Sequence, residues 1–199
     1  MSNLLDLLGR VLGNDTVSKM SQHLGQDEDT TRNAIGAALP ALLGGLAKNA
    51  SSPEGASALH GALQRDHDGS LLSNLGGLLN KPEESKGAGI LGHVFGGRRE
   101  NIERGIAKTT GMQEQKTGKL MEMLAPVVMG ALGQEQRKGG LDANALAGFL
   151  GQQKQAAAAK APEASGLIDR LLDADGDGDF DLGDMLKHGK GIFGKMLGK

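Results

Sequence analysis

Apolar residues recur at helical spacing along most of this 199-residue chain. The strongest case is the segment 30–47, whose apolar stripe is formed by Ile35, Leu39, Leu42 and Leu46. These positions share one face of a helix. Long runs of β-branched residues, which favour strands, are missing from the sequence. The pattern therefore predicts an all-α fold, a multi-helix bundle large enough to bury a sizeable core.

Capping residues predict where several helices begin and end. Asp15 is placed as an N-cap for a helix over residues 16–24, and Gly25 is placed to end it. Ser52 is followed by Pro53, a residue that suits the first turn of a helix. We therefore expect separate helices here rather than one continuous rod.

The second half of the chain repeats the first at an offset of 86 residues. At this offset Pro40 aligns with Pro126, and Gly25 aligns with Gly111. Gly44 also aligns with Gly130. Leu, Ala and Gly are frequent enough for some agreement by chance, but a proline and two glycines in register favour duplication. The sequence thus predicts a bundle built from two related halves.

Composition divides the chain into three parts. Residues 1–150 form a helical body that contains the two related halves, at about 16–63 and 102–150. Residues 151–165 are a low-complexity Ala/Gln/Lys stretch, predicted to be a helical spacer or a loose linker. Residues 166–199 form a separate C-terminal module.

The repeated proline lies inside a predicted helix in each half. There it removes a backbone hydrogen bond and bends the helix. Small residues such as Gly36 and Ala37 lie beside Pro40 and allow another helix to approach closely. Two interpretations stay open, which are close packing within a compact bundle and a bent helix that lines a groove for a partner.

The C-terminal module carries an aspartate-rich loop at residues 173–184 that resembles an EF-hand or dockerin-type calcium loop. Hard divalent cations bind six or more oxygen atoms at roughly 2.3–2.6 Å. The candidate ligands are Asp173, Asp175, Asp177, Asp179, Asp181 and Asp184. Gly178 falls at the sixth loop position, where the chain must turn sharply. The loop therefore predicts Ca²⁺ binding within an EF-hand-like helix-loop-helix.

Individual positions of this loop have different expected roles. Asp179 would bind through its backbone carbonyl, and Asp181 would bind through a water molecule. Asp184 occupies the last position, where EF-hands carry Glu, and its shorter side chain predicts weaker Ca²⁺ binding or a shift towards Mg²⁺. The alternative is a solvated acidic turn without metal. Because sensors usually pair two such loops, a single one favours a structural clasp, or pairing between two copies of the chain, over a calcium switch.

Composition narrows the remaining classes of function. The chain has four Phe and no Trp, Tyr or Cys, which argues against aromatic ligand pockets and excludes disulfides and thiolate chemistry. A net charge of −2 argues against nucleic-acid binding. The first thirteen residues lack the basic start of a secretory signal, and no apolar run reaches the ~18 residues of a membrane span. We expect a cytoplasmic protein, and since no catalytic grouping stands out, a non-enzymatic one.

Two weaker signals support alternatives. His60 and His67 lie seven residues apart, so they share one face of a helix if the helix continues through both. The pair suggests a metal-dependent enzyme. Residues 188–199 form a small cationic amphipathic segment that suits an anionic membrane surface or a partner groove. Together with the apolar N-terminus, this segment suggests a peripheral membrane-surface protein. Docking of the tail on its own module is the simpler interpretation.

Three phrases of the sequence resemble the bacterial DUF937 family of unknown function. They are ALPALLGGLAKNASSPEGASAL, HVFGGRRENIERGI and MLAPVVMGALG. The resemblance implies an all-α body and an intracellular bacterial origin, and it brings no catalytic residues. The leading hypothesis is a non-enzymatic, calcium-binding, self-associating or scaffold protein, with a homo-oligomer or a protein partner.

Overall fold

The computed structural model describes residues 4–80 and 86–160, and every regular element in these two ranges is a helix. In chain order the α-helices are α1 (Leu4–Val11), α2 (Asn14–Leu24), α3 (Glu28–Asn49), α4 (Pro53–Asp66), α5 (Leu75–Asn80), α6 (Gly87–Phe95), α7 (Arg99–Thr110), α8 (Glu114–Gly139) and α9 (Ala143–Lys160). Short 3-10 turns, Ser70–Asn74 and Gly96–Arg98, precede α5 and α7. The all-α prediction is confirmed.

The two longest helices, α3 and α8, pack against each other at the centre of the molecule. Helices α6, α7 and α9 also pack on α3, while α1, α4, α6 and α7 pack on α8. The central helices bury long apolar stretches, and Leu43 of α3 and Leu124 of α8 are fully buried. Burial of each such side chain contributes about 1.5–3 kcal/mol relative to exposure. The core therefore forms around these two helices.

Helix starts follow the capping chemistry of the sequence, with one correction. The Asp27 carboxylate accepts a hydrogen bond from the backbone N–H of Thr30 at 2.7 Å and caps α3. Ser52 caps α4 in the same way, immediately before the proline. The prediction of Asp15 as an N-cap is wrong, because α2 begins at Asn14 with Gly13 before it. Asp15 lies instead in the first turn, where a negative charge favours the helix dipole.

The beginnings of α3 and α8 share a local hydrogen-bond pattern. Thr31 donates through its hydroxyl to the carbonyl oxygen of the α3 cap residue, Asp27, at 2.8 Å. Thr117 makes the same bond to Gln113, the α8 cap residue, at 3.1 Å. Both threonines are fully buried. This second pair lies 86 residues after the first, at the offset that the sequence repeat predicts.

The helices before α3 and α8 also end alike. Gly25 ends α2 with φ 56°, and Gly111 ends α7 with φ 75°. Both values lie in the left-handed region, which glycine adopts without steric cost. Pro40 lies inside α3 and Pro126 lies inside α8, as predicted.

The structure describes the C-terminal part of the chain as far as Lys160. Residues 151–160, within the predicted spacer, continue α9 as a helix, and Gln153 and Ala157 are buried. Residues 161–199 lie outside the described residues, and so do the predicted cation loop, its six aspartates and the cationic tail. Among the described helices, none is long and apolar enough to cross a membrane.

Candidate functional site

A cavity with a largely apolar interior opens between α4 and α6, and we call it the α4–α6 cleft. Its volume is about 670 Å³. Helices α3 and α8 form its floor. Its main apolar side chains are Leu46, Leu59, Ala62, Ile90, Val94 and Met129. Volumes of roughly 300–1,000 Å³ are typical of ligand sites, so the cleft is large enough for a small molecule.

Among the described residues, the rim of the α4–α6 cleft carries one more positive than negative charge, since Arg65 and Lys86 lie there with Asp66. Arg65, His67, Lys86 and His93 lie along it, and Asp66 is the one acidic residue among the described residues that line it. Arg65, Lys86 and His93 are exposed to solvent. A positive charge at the mouth of an apolar cavity favours a ligand that combines an anionic group with an apolar body.

His67 is held in the wall of the cleft by a close backbone contact. Its carbonyl oxygen lies against Gly133 of α8, where an added Cβ atom would overlap it. Burial lowers the pKa of the His67 ring below its usual 6.5. The charge of Asp66 opposes this shift, and the nearby charge of Lys86 adds to it. The ring is therefore neutral near neutral pH.

Asn49, at the end of α3, joins the floor of the cleft to the end of α6. Its side-chain amide donates to the carbonyl oxygen of His93 at 2.9 Å and to that of Val94 at 3.3 Å. These bonds satisfy two carbonyl groups near the C-terminus of α6, which lack partners within the helix. The α6 wall is thereby fixed relative to α3.

A second, smaller cavity of about 270 Å³ lies between α1 and α3, and we call it the α1–α3 groove. Its main apolar side chains are Leu5, Leu8, Leu12, Ile35 and Leu39, and Ala157 of α9 lies at its edge. Gly9 and Gly36 also line it, and an added Cβ atom at either position would meet nothing within 4 Å. The groove therefore contains space that no side chain of the described chain fills.

The two histidines proposed as metal ligands line different cavities. His67 lies in the α4–α6 cleft, whereas His60 lies in a polar pocket with Gln64 and Gln136. The helical face that would join them stops early, because α4 ends at Asp66 and His67 leaves the helix with φ −134°. Across residues 4–80 and 86–160, no group of three His, Asp or Glu residues could hold a metal ion. The geometry gives no support to a shared site.

Sequence reasoning missed the residues that shape the α4–α6 cleft. Lys86 has a φ of 58°. Among the described residues, it is the one non-glycine residue whose φ is positive. It follows a polar stretch that gives no sign of this conformation. Asn49 ends a helix, and its contacts with α6 span more than 40 positions of the chain. Neither feature has a local sequence signal.

The fold and its cavities define an all-α protein organised around two long, proline-containing central helices. A family model, described as a bacterial protein of unknown function (DUF937), matches residues 6–135. The match covers more than half of the chain, which therefore belongs to the DUF937 family, as its sequence phrases predicted. It ends inside α8, so α9 and residues 161–199 lie beyond it. Comparisons with curated proteins and with solved structures give no match.

Proposed function

We propose that this chain is a non-enzymatic, self-associating helical protein whose C-terminal loop binds Ca²⁺. The observation that carries self-association is the unfilled space of the α1–α3 groove, at the exposed Gly9 and Gly36. An apolar gap beside half-buried leucines is costly to leave in water, and a second protein surface can cover it.

The proposal includes an internal duplication in which α1–α4 correspond to α6–α9. Matching cap bonds at Thr31 and Thr117 support it, and so do the matching glycines, Gly25 and Gly111. In a duplicated chain, a surface that is covered in one half and exposed in the other is a natural contact between copies.

Among the described residues, the surface next to the proline is covered in the second half and open in the first half. In the second half, Gly87 of α6 lies against the carbonyl group of Glu122, four residues before Pro126. In the first half, the corresponding residue four before Pro40 is Gly36, which lines the groove. Proline cannot donate to either carbonyl. The open position in the first half is therefore the one that we assign to a partner.

The partner that we propose is a second copy of the same chain. Leu5 and Leu39 are half-buried on the walls of the groove. In a two-fold symmetric contact, leucines of each copy face the glycine gap of the other. The same surface thus supplies both the gap at Gly36 and the side chains that fill it.

Light scattering of the full chain tests self-association. We expect a dimer, which Gly36→Leu should convert to a monomer because the new side chain fills the gap from within. Gly148→Leu is the matched control, since Gly148 is also an exposed helical glycine with nothing within 4 Å of an added Cβ atom. A wild-type protein that stays monomeric, with and without chelator, would remove this part of the proposal.

The calcium part of the proposal rests on the sequence of residues 173–184. Six aspartates in one short loop repel each other unless a cation compensates them. Titration calorimetry with Ca²⁺ and with Mg²⁺ should give heat for the wild type and for Asp15→Ala, and none for Asp173→Ala. A wild type without heat or thermal shift for either ion would contradict it.

The other hypotheses gain no support from an observation of this structure. Leu4 and Leu8 of α1 are fully buried against the core, and the half-buried Leu5 belongs to the groove that we assign to a second copy. A membrane-surface role would then rest on residues 188–199 alone.

A further inference from the structure

The interior of the α4–α6 cleft suits an extended apolar chain. Leu46 and Met129 are buried in its floor, while Leu59 and Ile90 are half-buried on its facing walls. Transfer of each methylene group from water to such a surface favours binding. The 670 Å³ volume accepts one alkyl chain of medium length, whereas a two-chain phospholipid is larger than this space.

The charge at the mouth of the cleft determines which head group the alkyl chain can carry. Arg65 and Lys86 carry full positive charges, and Asp66 offsets one of them. His93, also exposed on the rim, adds an imidazole ring. An anionic head group gains attraction from this rim, whereas a cationic head group on the same chain is repelled.

Lys86 lies in a backbone conformation that glycine would adopt more cheaply. Its φ of 58° is in the left-handed region, where a Cβ atom crowds the following carbonyl group. Strained residues of this kind cluster at ligand sites. Lys86 lines the mouth of the cleft, where its charge can contact a ligand.

We propose that the α4–α6 cleft binds a free single-chain alkyl carboxylate, with the alkyl chain between α4 and α6 and the carboxylate beside Lys86 and Arg65. The described residues that line this site are different from those that line the α1–α3 groove. The alkyl carboxylate site goes beyond the proposed function, and its test is independent of self-association and of Ca²⁺.

Calorimetry with decanoate, below its micelle concentration, tests the proposal on the full chain. Decyltrimethylammonium is the matched probe, because it carries an alkyl chain of the same length with the opposite charge. We expect decanoate to bind at least about tenfold more tightly, which corresponds to about 1.4 kcal/mol. Equal affinity for the two probes, or no heat with decanoate, would overturn the proposal.

Substitutions locate the binding within the cleft. Lys86→Gln should weaken decanoate binding about fivefold, as expected for one partly solvated ion pair. Lys119→Gln removes an exposed lysine of α8 that lies outside the cleft and should leave binding unchanged. Ala62→Phe should abolish binding by filling the cleft, with circular dichroism to verify the helices. Unchanged affinity in both Lys86→Gln and Ala62→Phe would overturn the location.

Lys86→Gly separates the binding role from a purely structural one. Glycine relieves the backbone strain, so we expect the Tm to rise by about 2–4 °C while decanoate binding weakens as in Lys86→Gln. A Tm rise with unchanged decanoate affinity would mean that the lysine does not contact the ligand, and this would overturn its assignment.

Discussion

Helices α3 and α8 carry the same local signal and have different surroundings. Each contains a proline that leaves the carbonyl group four residues earlier without its usual donor. In α8 that residue is Glu122, and α6 covers it through Gly87. In α3 it is Gly36, which remains exposed beside the α1–α3 groove. The proline inside each helix thus determines which carbonyl group lacks its usual donor. The neighbouring helix determines whether the residue with that carbonyl group is covered or exposed.

The largest expected effect lies on the closed side. Gly87→Ala places a Cβ atom on the backbone of Glu122, so α6 must shift away from α8. We expect the free energy of unfolding to fall by about 1–3 kcal/mol, the usual cost of overpacking. Urea denaturation measures it. Gly89→Ala in the same helix is the control, because its Cβ atom meets nothing within 4 Å and should cause no loss.

A smaller effect tests the two ion pairs of Arg99 on the same side, one with Glu103 within α7 and one with Glu122 of α8. Arg99 binds Glu103 at 2.6 Å and Glu122 at 2.5 Å. Arg99→Leu leaves the largely buried Glu103 carboxylate without this partner, and we expect a loss of about 1 kcal/mol. Arg104→Leu removes a longer and more exposed pair with Glu114 and should cost less. Equal losses in urea unfolding would contradict this account of the closed side.

On the open side the expected change has the opposite sign. Gly36→Ala adds a methyl group to empty space and replaces a flexible residue in the middle of a helix. The free energy of unfolding should rise by about 0.5–1 kcal/mol. Gly45→Ala in the same helix should lower it, because the new Cβ atom would lie 2.6 Å from a methyl carbon of Val94. Both variants are measured below the dimerisation range, where the chain is a monomer, and a loss of stability in Gly36→Ala would then show that the chain itself already covers the position.

The smallest effect concerns the caps of the two helices. Hydrogen bonding to Thr30, chiefly from its backbone N–H, lowers the pKa of Asp27 from 3.8 to about 2. This stabilisation is complete above pH 3.8 and is lost as the pH falls through 2. Gln113 occupies the matching position before α8 with similar backbone angles and no side-chain cap. Gln113→Asp should therefore raise the free energy of unfolding by about 0.5 kcal/mol at pH 7.

The pH dependence of thermal unfolding checks this last prediction. The gain in Gln113→Asp should shrink below about pH 4, because the new cap loses its charge there. Asp27→Asn keeps an acceptor at the α3 cap and should flatten the acid dependence of the wild type. A gain in Gln113→Asp that persists in acid would mean that capping is not its cause.

Local features of this fold could be predicted from the sequence, whereas contacts between distant helices could not. Apolar spacing is enough to predict α3, and Gly25 is enough to predict the end of α2, because both depend on neighbouring residues. The contact of Gly87 with Glu122 and the cap role of Gly13 have no such signal. Each of the two cavities is formed by helices that are separated in the sequence and come together only in the folded chain. The three sequence segments that resemble DUF937 predicted the family correctly, and they carry no information on either cavity.

The central claim is that a second copy covers Gly36, and a thiol placed there tests it most directly. The chain contains no cysteine, so Gly36→Cys and Gly148→Cys each introduce a single thiol. We expect the rate of maleimide labelling in Gly36→Cys to fall as protein concentration rises through the dimerisation range, while the rate in Gly148→Cys stays constant. Labelling of Gly36→Cys that does not depend on protein concentration would contradict the account.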